Sequence, residues 1–470
     1  MDSNMKRGLQ AVLVYSVLFL FFIQLITDFI AGIYGYGVLG TEIPVEIAAI
    51  VFFLSPFLLL FFKRGLGTTT LIVLGELVLA CRVIEVWLPI RFQLLVAGLG
   101  AGLFLFLFPA LLWHLGRRKG LGVGRLLATS LVLSVAASVL FRTLGSTIDI
   151  TNAGWFRVIA AVIAIGAGLL LPRVFRGEST NAKRIEKESA KAGWGKTIAL
   201  SFGISSVYLL LYFGFSSPAV ITRWTGSDYL VTLSLAAISL VAFVWLLAFG
   251  RRASFSKLPL AAKIISAIFV LALSLTLAVN QAALPIDPNA YPLLDPGVSR
   301  FRNTALFALL LLYPVLFIDF GLLTGETVRT RPSMRMLGLG FGLSSVFMVI
   351  MILANVFTST WSYIEPVLEP LFRYRYWQVF LLVGVVLTAS MLVVRFAPVS
   401  PQAESLDRRA RKAVAGLVTA LYFCVIAAIL ILEPKPAEPA RVDSLVVAGF
   451  NLQQGYGQDG QRSHVEQCEL

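Results

Sequence analysis

Long apolar segments alternate with short polar ones from the N-terminus to about residue 432. An α-helix rises 1.5 Å per residue, so about 20 apolar residues cross the ~30 Å hydrocarbon core of a bilayer. Segments of this kind occur thirteen times, at 8–33, 44–62, 68–88, 93–115, 124–142, 155–172, 197–217, 229–249, 259–281, 304–323, 336–357, 377–396 and 413–432. The pattern predicts an all-α polytopic membrane protein with about 13 transmembrane helices.

Composition supports this fold class. Hydrophobic residues make up 58% of the 470 residues and charged residues 14%, whereas a soluble domain carries about 25% charged residues. An ordinary soluble globular protein is therefore excluded. The first apolar segment is too long for the core of a signal peptide, so it predicts a retained first span.

Positive charge is concentrated in alternate loops. The basic loops contain residues 6–7, 63–64, 116–125, 173–196, 250–257, 329–335 and 407–412, and the loops between them carry most of the loop acids. Because Lys and Arg are retained on the cytoplasmic side, this bias predicts a cytoplasmic N-terminus. With an odd number of spans the C-terminus then lies outside. The net charge of +14 is thus a topology signal, and no nucleic-acid partner is expected.

The third apolar segment carries three ionisable residues, Glu76, Arg82 and Glu85. A charge at a helix centre costs about 2.5–3.5 kcal/mol on insertion scales, so each needs a reason. Arg82 and Glu85 are three residues apart and can pair on one face. Glu76 lies about 120° around the helix from Arg82 and is expected to meet another helix. Two interpretations stay open: a polar site for a head group or ion, and a buried structural ion pair.

Further polar candidates lie elsewhere in the chain. Asp28 and Asp319 fall near the ends of predicted spans, where an interfacial position is expected. The outer segment 358–377 mixes carboxylates, aromatics and arginines, including Glu365, Glu369 and Arg373. It is either a re-entrant or interfacial piece that meets a lipid head group, or a plain amphipathic loop.

Two glycine patterns and one internal similarity concern packing. "GLGAG" (98–102) and "GLGFG" (338–342) are GxxxG patterns within apolar spans and predict close helix packing. "SFGISSVY" (201–208) and "GFGLSSVF" (340–347) resemble each other, and both follow basic loops. The two segments are therefore expected to run in the same direction, and any repeat would be parallel.

The chain after the last span has a different character. Residues 433–443, "EPKPAEPARVD", place prolines at short intervals, which favours an extended spacer. Residues 444–470 begin with a β-prone segment and a Gly-rich turn, "SLVVAGFNLQQGYGQDG". The sequence thus predicts a multi-span domain over 1–432, a linker over 433–443, and the start of a further domain outside the membrane.

This segment resembles the first strand of the endonuclease/exonuclease/phosphatase superfamily, which comprises metal-dependent phosphodiesterases built on a two-sheet α/β sandwich. The resemblance places Asn451 at the family position that helps to hold the metal and the scissile phosphate. Phe450 stands where Tyr or Trp is more usual. The layout, a multi-span region followed by this domain, is similar to membrane proteins that remodel the lipid of GPI anchors.

The resemblance covers only about 20 residues, because the downstream Glu, Asp/Asn and His positions of the family do not follow. A single strand cannot bury a core. We therefore expect a truncated domain that is inactive alone, with no cofactor in this chain and Mg²⁺ or a similar divalent metal in a full-length parent. The only His residues, His114 and His464, form no metal motif.

The resulting expectation is the membrane region of an extracytoplasmic phosphodiesterase-like protein acting on lipid-linked or GPI-like substrates. Its partners would be membrane lipids, in a bacterial cell membrane or, in a eukaryote, the endoplasmic reticulum. The alternative is a multi-span transporter or scaffold for a lipid or small solute, with a vestigial tail.

Overall fold

The computed structural model describes residues 3–38, 50–117, 122–145, 148–176, 193–249, 259–280, 300–358, 375–395 and 408–432. Their regular structure is helical. The α-helices are α1 (Ser3–Val38), α2 (Thr68–Glu85), α3 (Ile90–Gly116), α4 (Val123–Leu144), α5 (Arg157–Arg176), α6 (Trp194–Leu210), α7 (Pro218–Thr225), α8 (Tyr229–Phe249), α9 (Pro259–Asn280), α10 (Arg300–Leu311), α11 (Val315–Thr330), α12 (Met334–Phe357), α13 (Tyr376–Leu392) and α14 (Arg408–Leu432). A 3₁₀-helix spans Phe52–Phe61, and a π-helical turn, Leu211–Phe215, extends α6.

The chain is a multi-span helical membrane protein. Within the described ranges, ten helical segments are long and apolar enough to cross a membrane, with α10 and α11 together forming one of them. The other three predicted spans correspond to the ten-residue 3₁₀-helix, to α2 with its three charged residues, and to the 17-residue α13. The predicted linker 433–443 and tail 444–470 lie outside the described residues.

A cluster of aromatic rings fills the centre of the bundle. Phe22 stacks on Phe104 with ring centroids 4.1 Å apart, joining α1 to α3. Phe19 of α1 meets Phe320 of α11 at 5.6 Å, and Phe108 of α3 meets Phe341 of α12 at 6.0 Å. Each of these rings is at most 2% exposed. Offset and edge-to-face ring contacts add to the burial of large apolar side chains, so this cluster joins four helices.

Both GxxxG patterns pack against the same element, the 3₁₀-helix. A Cβ on Gly102 of α3 would lie 2.4 Å from the carbonyl oxygen of Phe52, and one on Gly338 of α12 would lie 2.9 Å from the Cβ of Leu59. Ser55 adds a hydrogen bond from its Oγ to the carbonyl oxygen of Gly102, at 2.6 Å. The prediction of close packing is confirmed, because only glycine lets these backbones approach so closely.

The two similar segments, 201–208 and 340–347, contact each other. Ser205 Oγ donates to Ser344 Oγ at 2.9 Å, and these serines occupy equivalent positions in the two segments. One turn earlier, a Cβ on Gly340 would lie 2.6 Å from Ser201 Oγ, again at an equivalent position. Equivalent residues four apart therefore face each other twice, so α6 and α12 run in the same direction, as predicted. Whether they arose by duplication stays a prediction.

Side-chain contacts define two opposite ends of the bundle. At one, which we call the Arg82 end, Arg142 Nη2 in the last turn of α4 donates to Thr27 Oγ1 of α1 at 2.8 Å, close to the region of Arg82. At the other, the Lys196 end, Lys196 of α6 pairs with Glu326 of α11. The described parts of three predicted basic loops adjoin the Lys196 end: residues 116–117, 122–125, 173–176, 193–196 and 329–335.

Candidate functional site: a buried arginine network

The site centres on Arg82, which lies in the last turn of α2 and is fully buried. Its Nε donates to Gln24 Oε1 at 2.9 Å and its Nη1 to Glu85 Oε1 at 2.8 Å. Its Nη2 donates to Thr151 Oγ1 at 2.7 Å and to Asn152 Oδ1 at 2.8 Å. The predicted pairing of Arg82 with Glu85 is confirmed, and it is one part of a larger network.

Asp28 of α1 supplies a second carboxylate. Its Oδ2 lies 3.4 Å from Arg82 Nη1, and its Oδ1 accepts a hydrogen bond from Asn152 Nδ2 at 2.7 Å. The sequence predicted that Asp28 lies near a span end, because the apolar segment finishes at about residue 33. The helix continues to Val38, and the structure buries this side chain within the bundle.

Asp149 supplies a third carboxylate and shapes the segment that closes the network. It precedes a short 3₁₀-helix, Ile150–Asn152, and its Oδ1 accepts from Thr151 N at 2.9 Å and from Thr151 Oγ1 at 2.6 Å. An Asp in this position satisfies a backbone N–H that the helix leaves free. Gln24 Nε2 donates to its other oxygen at 2.5 Å. The cap therefore presents Thr151 and Asn152 to the guanidinium.

The formal charges of this region balance. Asp28, Glu85 and Asp149 are accompanied by Arg82 and by two further arginines that contact the same group of residues. Those are Arg142, which donates to Thr27, and Arg157, whose Nε donates to the carbonyl oxygen of Asn152 at 3.3 Å. Arginines near span ends often extend to lipid phosphate, but these two donate to protein acceptors. A layer with three positive and three negative groups therefore joins α1, α2, α4 and α5.

The network occupies Arg82 with four hydrogen bonds and an ion pair to Asp28. A guanidinium has five N–H donors, and five side chains accept from them or pair with them: Gln24, Asp28, Glu85, Thr151 and Asn152. The guanidinium is fully buried behind these partners, so the described structure leaves it no exposed donor for a lipid phosphate. Of the two interpretations of the third segment, the geometry thus favours a structural ion-pair network over a head-group site.

Glu76 lies apart from the network. Its Oε2 faces Gly168 of α5, at 2.8 Å from the position that a Cβ would take there. The expectation that Glu76 meets another helix is confirmed. The neighbouring Val73 and Leu77 are 51% and 44% exposed on the outer surface of the bundle, so this half-buried carboxyl lies beside an apolar, lipid-facing strip.

Asp319 occupies a third place, inside the bundle on α11. The sequence placed it near the end of a span predicted to finish at 323, but the helical segment extends from Asn303 to Thr330. Its side chain is fully buried, and its Oδ2 accepts from Ser266 Oγ of α9 at 2.6 Å. Asp319 is therefore an interior residue.

The helix that carries Asp319 is interrupted, and its interruption contacts that of a second helix. The turn 312–314 separates α10 from α11, and the π-helical turn Leu211–Phe215 with residues 216–217 separates α6 from α7. Tyr313 lies in the first interruption and donates a hydrogen bond from its Oη to the carbonyl oxygen of Phe215 in the second. The centroids of the Tyr313 and Phe215 rings are 5.0 Å apart. The carbonyl oxygen of Phe215 in one interruption is thus satisfied by a side chain from the other, which lowers the cost of burying it in a membrane.

The remaining predicted site residues lie outside the described residues: Asn451, Glu365, Glu369 and Arg373. Among the residues that the structure describes, no group of three His, Cys, Asp or Glu side chains could hold a metal ion. A divalent metal therefore has no fitting ligand set in the described part of this chain, and Asn451 by itself supplies a single ligand.

Sequence reasoning missed the partners of Arg82 in α1 and in segment 149–152. One signal was present, because Gln24 and Asp28 are four residues apart and so lie on one face of an otherwise apolar helix. A second signal was Asp149 two residues before Thr151, a spacing typical of a capped turn. Neither signal names the partner helix.

No protein-family model matches this chain, and a search of curated proteins finds no match. The resemblance of the tail to the phosphodiesterase superfamily therefore rests on its own residues.

Proposed function

We propose that this chain is the membrane region of an extracytoplasmic, metal-dependent phosphodiesterase-like protein that acts on lipid-linked or GPI-like substrates. The observation that carries the proposal is the tail, in which a proline-spaced linker precedes "SLVVAGFNLQQGYGQDG" with Asn451 at the family position. In this proposal the N-terminus is cytoplasmic and the tail is extracytoplasmic.

The direction of α14 supports the proposed location of the tail. Arg411, near the start of α14, donates from Nη1 to the carbonyl oxygen of Leu247, near the end of α8. The opposite end of α8 lies at the Arg82 end, because Tyr229 hydrogen-bonds Thr143 there at 2.9 Å. Helix α14 therefore runs toward the Arg82 end. Since the basic loops adjoin the Lys196 end, the positive-inside rule makes the Arg82 end extracytoplasmic.

The membrane region then has a mechanical role in this function. The Arg82 network joins the outer ends of several helices, so a domain after residue 432 would stand on a rigid surface close to the lipid head groups. A metal in such a domain would polarise the phosphodiester and activate water. The described residues supply no metal site for that chemistry, and the contribution that we propose for them is anchoring and orientation.

Extending the reading frame tests the proposal. We expect the transcript to continue beyond the codon for Leu470, in one frame, into sequence with a Glu metal ligand and a His-bearing strand. Protein made from that frame should hydrolyse a lipid-linked phosphodiester with Mg²⁺ and stop when a chelator removes the metal. Asn451→Ala should lower the rate on the order of 100-fold, the size of effect seen when one group that stabilises transition-state charge is lost.

The matched control is Gln458→Ala, a substitution in the same polar segment at a residue that the family motif does not use. This variant should keep the rate of the unaltered protein. A transcript that continues into unrelated sequence, or an extended protein without phosphodiesterase activity, would contradict the proposal.

The second candidate function is transport of a lipid or small solute. The observation that favours it is the contact between the two interrupted helices, at Tyr313 and Phe215. Transporters build their binding sites from discontinuous membrane helices, whose unwound turns supply polar groups within the bilayer. An unrelated sequence after codon 470 would place this candidate ahead of the phosphodiesterase.

A further inference from the structure

Asp319 is a carboxyl group enclosed by protein with a single described hydrogen-bond donor. Ser266 Oγ lies 2.6 Å from Oδ2, and both side chains are fully buried. The other oxygen, Oδ1, is buried and has no hydrogen-bond partner among the described residues. Asp319 thus accepts one hydrogen bond, whereas Asp149 accepts three.

The surroundings of Asp319 are apolar. The flanking residues of its own helix are large, apolar and fully buried: Leu316, Phe317, Phe320 and Leu323. Phe269, one turn from Ser266 on α9, is also fully buried. An ionised carboxylate in such a place is strongly disfavoured unless it is paired. Among the residues that the structure describes, Asp319 takes part in no ion pair.

Cations on the neighbouring helices are engaged elsewhere. Lys263, one turn before Ser266 on α9, donates to the carbonyl oxygen of Leu392 at 3.1 Å. Lys196 of α6 pairs with Glu326 at the Lys196 end, and Arg142 of α4 donates to Thr27 at the opposite end. The other titratable residues on α11 and on the helices packed against it are Arg91, His114, Arg125, Tyr208, Arg329 and Tyr376, and Tyr313 lies in the adjoining turn 312–314.

A bound proton resolves this arrangement. We propose that Asp319 is a proton-binding site inside the membrane bundle, with Ser266 as its hydrogen-bond partner. A hydroxyl both donates and accepts, so Ser266 can accept the carboxyl proton of the neutral acid and donate to the carboxylate. A metal ion would need several coordinating side chains, and no such group exists among the described residues. A proton needs only the carboxyl oxygen itself.

In this proposal the proton exchanges with water at the neighbouring helix interruption. The turn 312–314 precedes Asp319 by less than two helical turns, and it separates α10 from α11. When the contact between α9 and α11 opens, the O–H bond of the carboxyl breaks and its proton passes to water, leaving a hydrated carboxylate. When the contact closes, a proton from water restores the neutral acid. A role for this proton exchange in transport rests on the second candidate function. The existence of the proton-binding site does not.

Infrared spectroscopy of the full chain in lipid tests the proposal. At neutral pH we expect a carbonyl stretching band of a protonated carboxyl, and we expect Asp319→Asn to remove that component. Asp228→Asn is the matched control, because Asp228 is exposed and accepts from Val231 N at the start of α8. This control should leave the band unchanged. Ser266→Ala should keep the band but shift it toward the frequency of a carboxyl without a hydrogen bond.

The outcomes separate the proton site from the proposed functions. A band unchanged in Asp319→Asn would assign the protonated carboxyl to another acid, such as Glu76, and would overturn the proposal. If Asp319→Asn does not fold, Ser266→Ala decides, and an unshifted band overturns the proposal. An Asp319 band in a protein whose extended frame encodes an active phosphodiesterase would keep the proton site while removing the transport candidate.

Discussion

Replacing Arg82 by alanine is expected to destabilise the folded protein by about 3–5 kcal/mol, the cost of breaking a buried ion pair by removing one partner. The substitution leaves Glu85 and Asp28 without their cation in an interior that is closed to water. It also removes the donors for Gln24, Thr151 and Asn152. The measurement is thermal unfolding of the purified protein in detergent, together with the yield of monodisperse protein.

A matched control uses Arg91, an exposed arginine in the first turn of α3. Arg91→Ala should change stability by no more than about 0.5 kcal/mol, as is usual for surface positions. Arg82→Lys should fall between the two, since an ammonium supplies three donors where the guanidinium supplies five. Unchanged unfolding of Arg82→Ala with loss of lipid binding would instead show a head-group site.

Replacing Gly102 by valine is expected to separate α3 from the 3₁₀-helix. A Cβ at this position would lie 2.4 Å from the carbonyl oxygen of Phe52, a backbone atom that cannot rotate away. The hydrogen bond from Ser55 Oγ to the carbonyl oxygen of Gly102 would be strained as well. Overpacking of this kind costs about 1–3 kcal/mol and occasionally more. The same thermal unfolding measurement in detergent reports the loss.

Gly166→Val provides the control for this steric effect. Gly166 lies within α5 on an exposed face, and a Cβ there would meet no atom within 4 Å. Stability should therefore change little or rise slightly, because glycine lowers helix stability at an open position. Equal losses in the two variants would mean that the close contact at Gly102 does not limit packing.

Much of the fold was predictable because the bilayer imposes a simple rule on the sequence. Segments of about 20 apolar residues must be helical to satisfy their backbone, and ten of the predicted spans have helices of sufficient length and apolarity. Span ends were less predictable. Polar residues such as Glu326 continue α11 where hydrophobicity has already fallen, because Lys196 and Arg329 pair with that carboxylate.

The candidate site was predictable only within one helix. The pair of Arg82 with Glu85 follows from helical spacing, since residues three apart share a face. The contributions of Gln24 and Thr151 come from segments 58 and 69 residues away in the chain. Periodicity within a helix carries no information on which helices become neighbours, so a single sequence does not fix such contacts.

The orientation of the tail can be measured most directly at Cys468. In the proposed topology α14 ends on the extracytoplasmic side, and Cys468 follows it outside the cytoplasm. The other two cysteines lie in helices, Cys81 buried and Cys424 exposed on α14, and can be replaced by serine. On intact cells or sealed right-side-out vesicles, a membrane-impermeant thiol reagent should then label Cys468 without permeabilisation. Labelling that appears only after the membrane is opened would place the tail in the cytoplasm and contradict the proposed function.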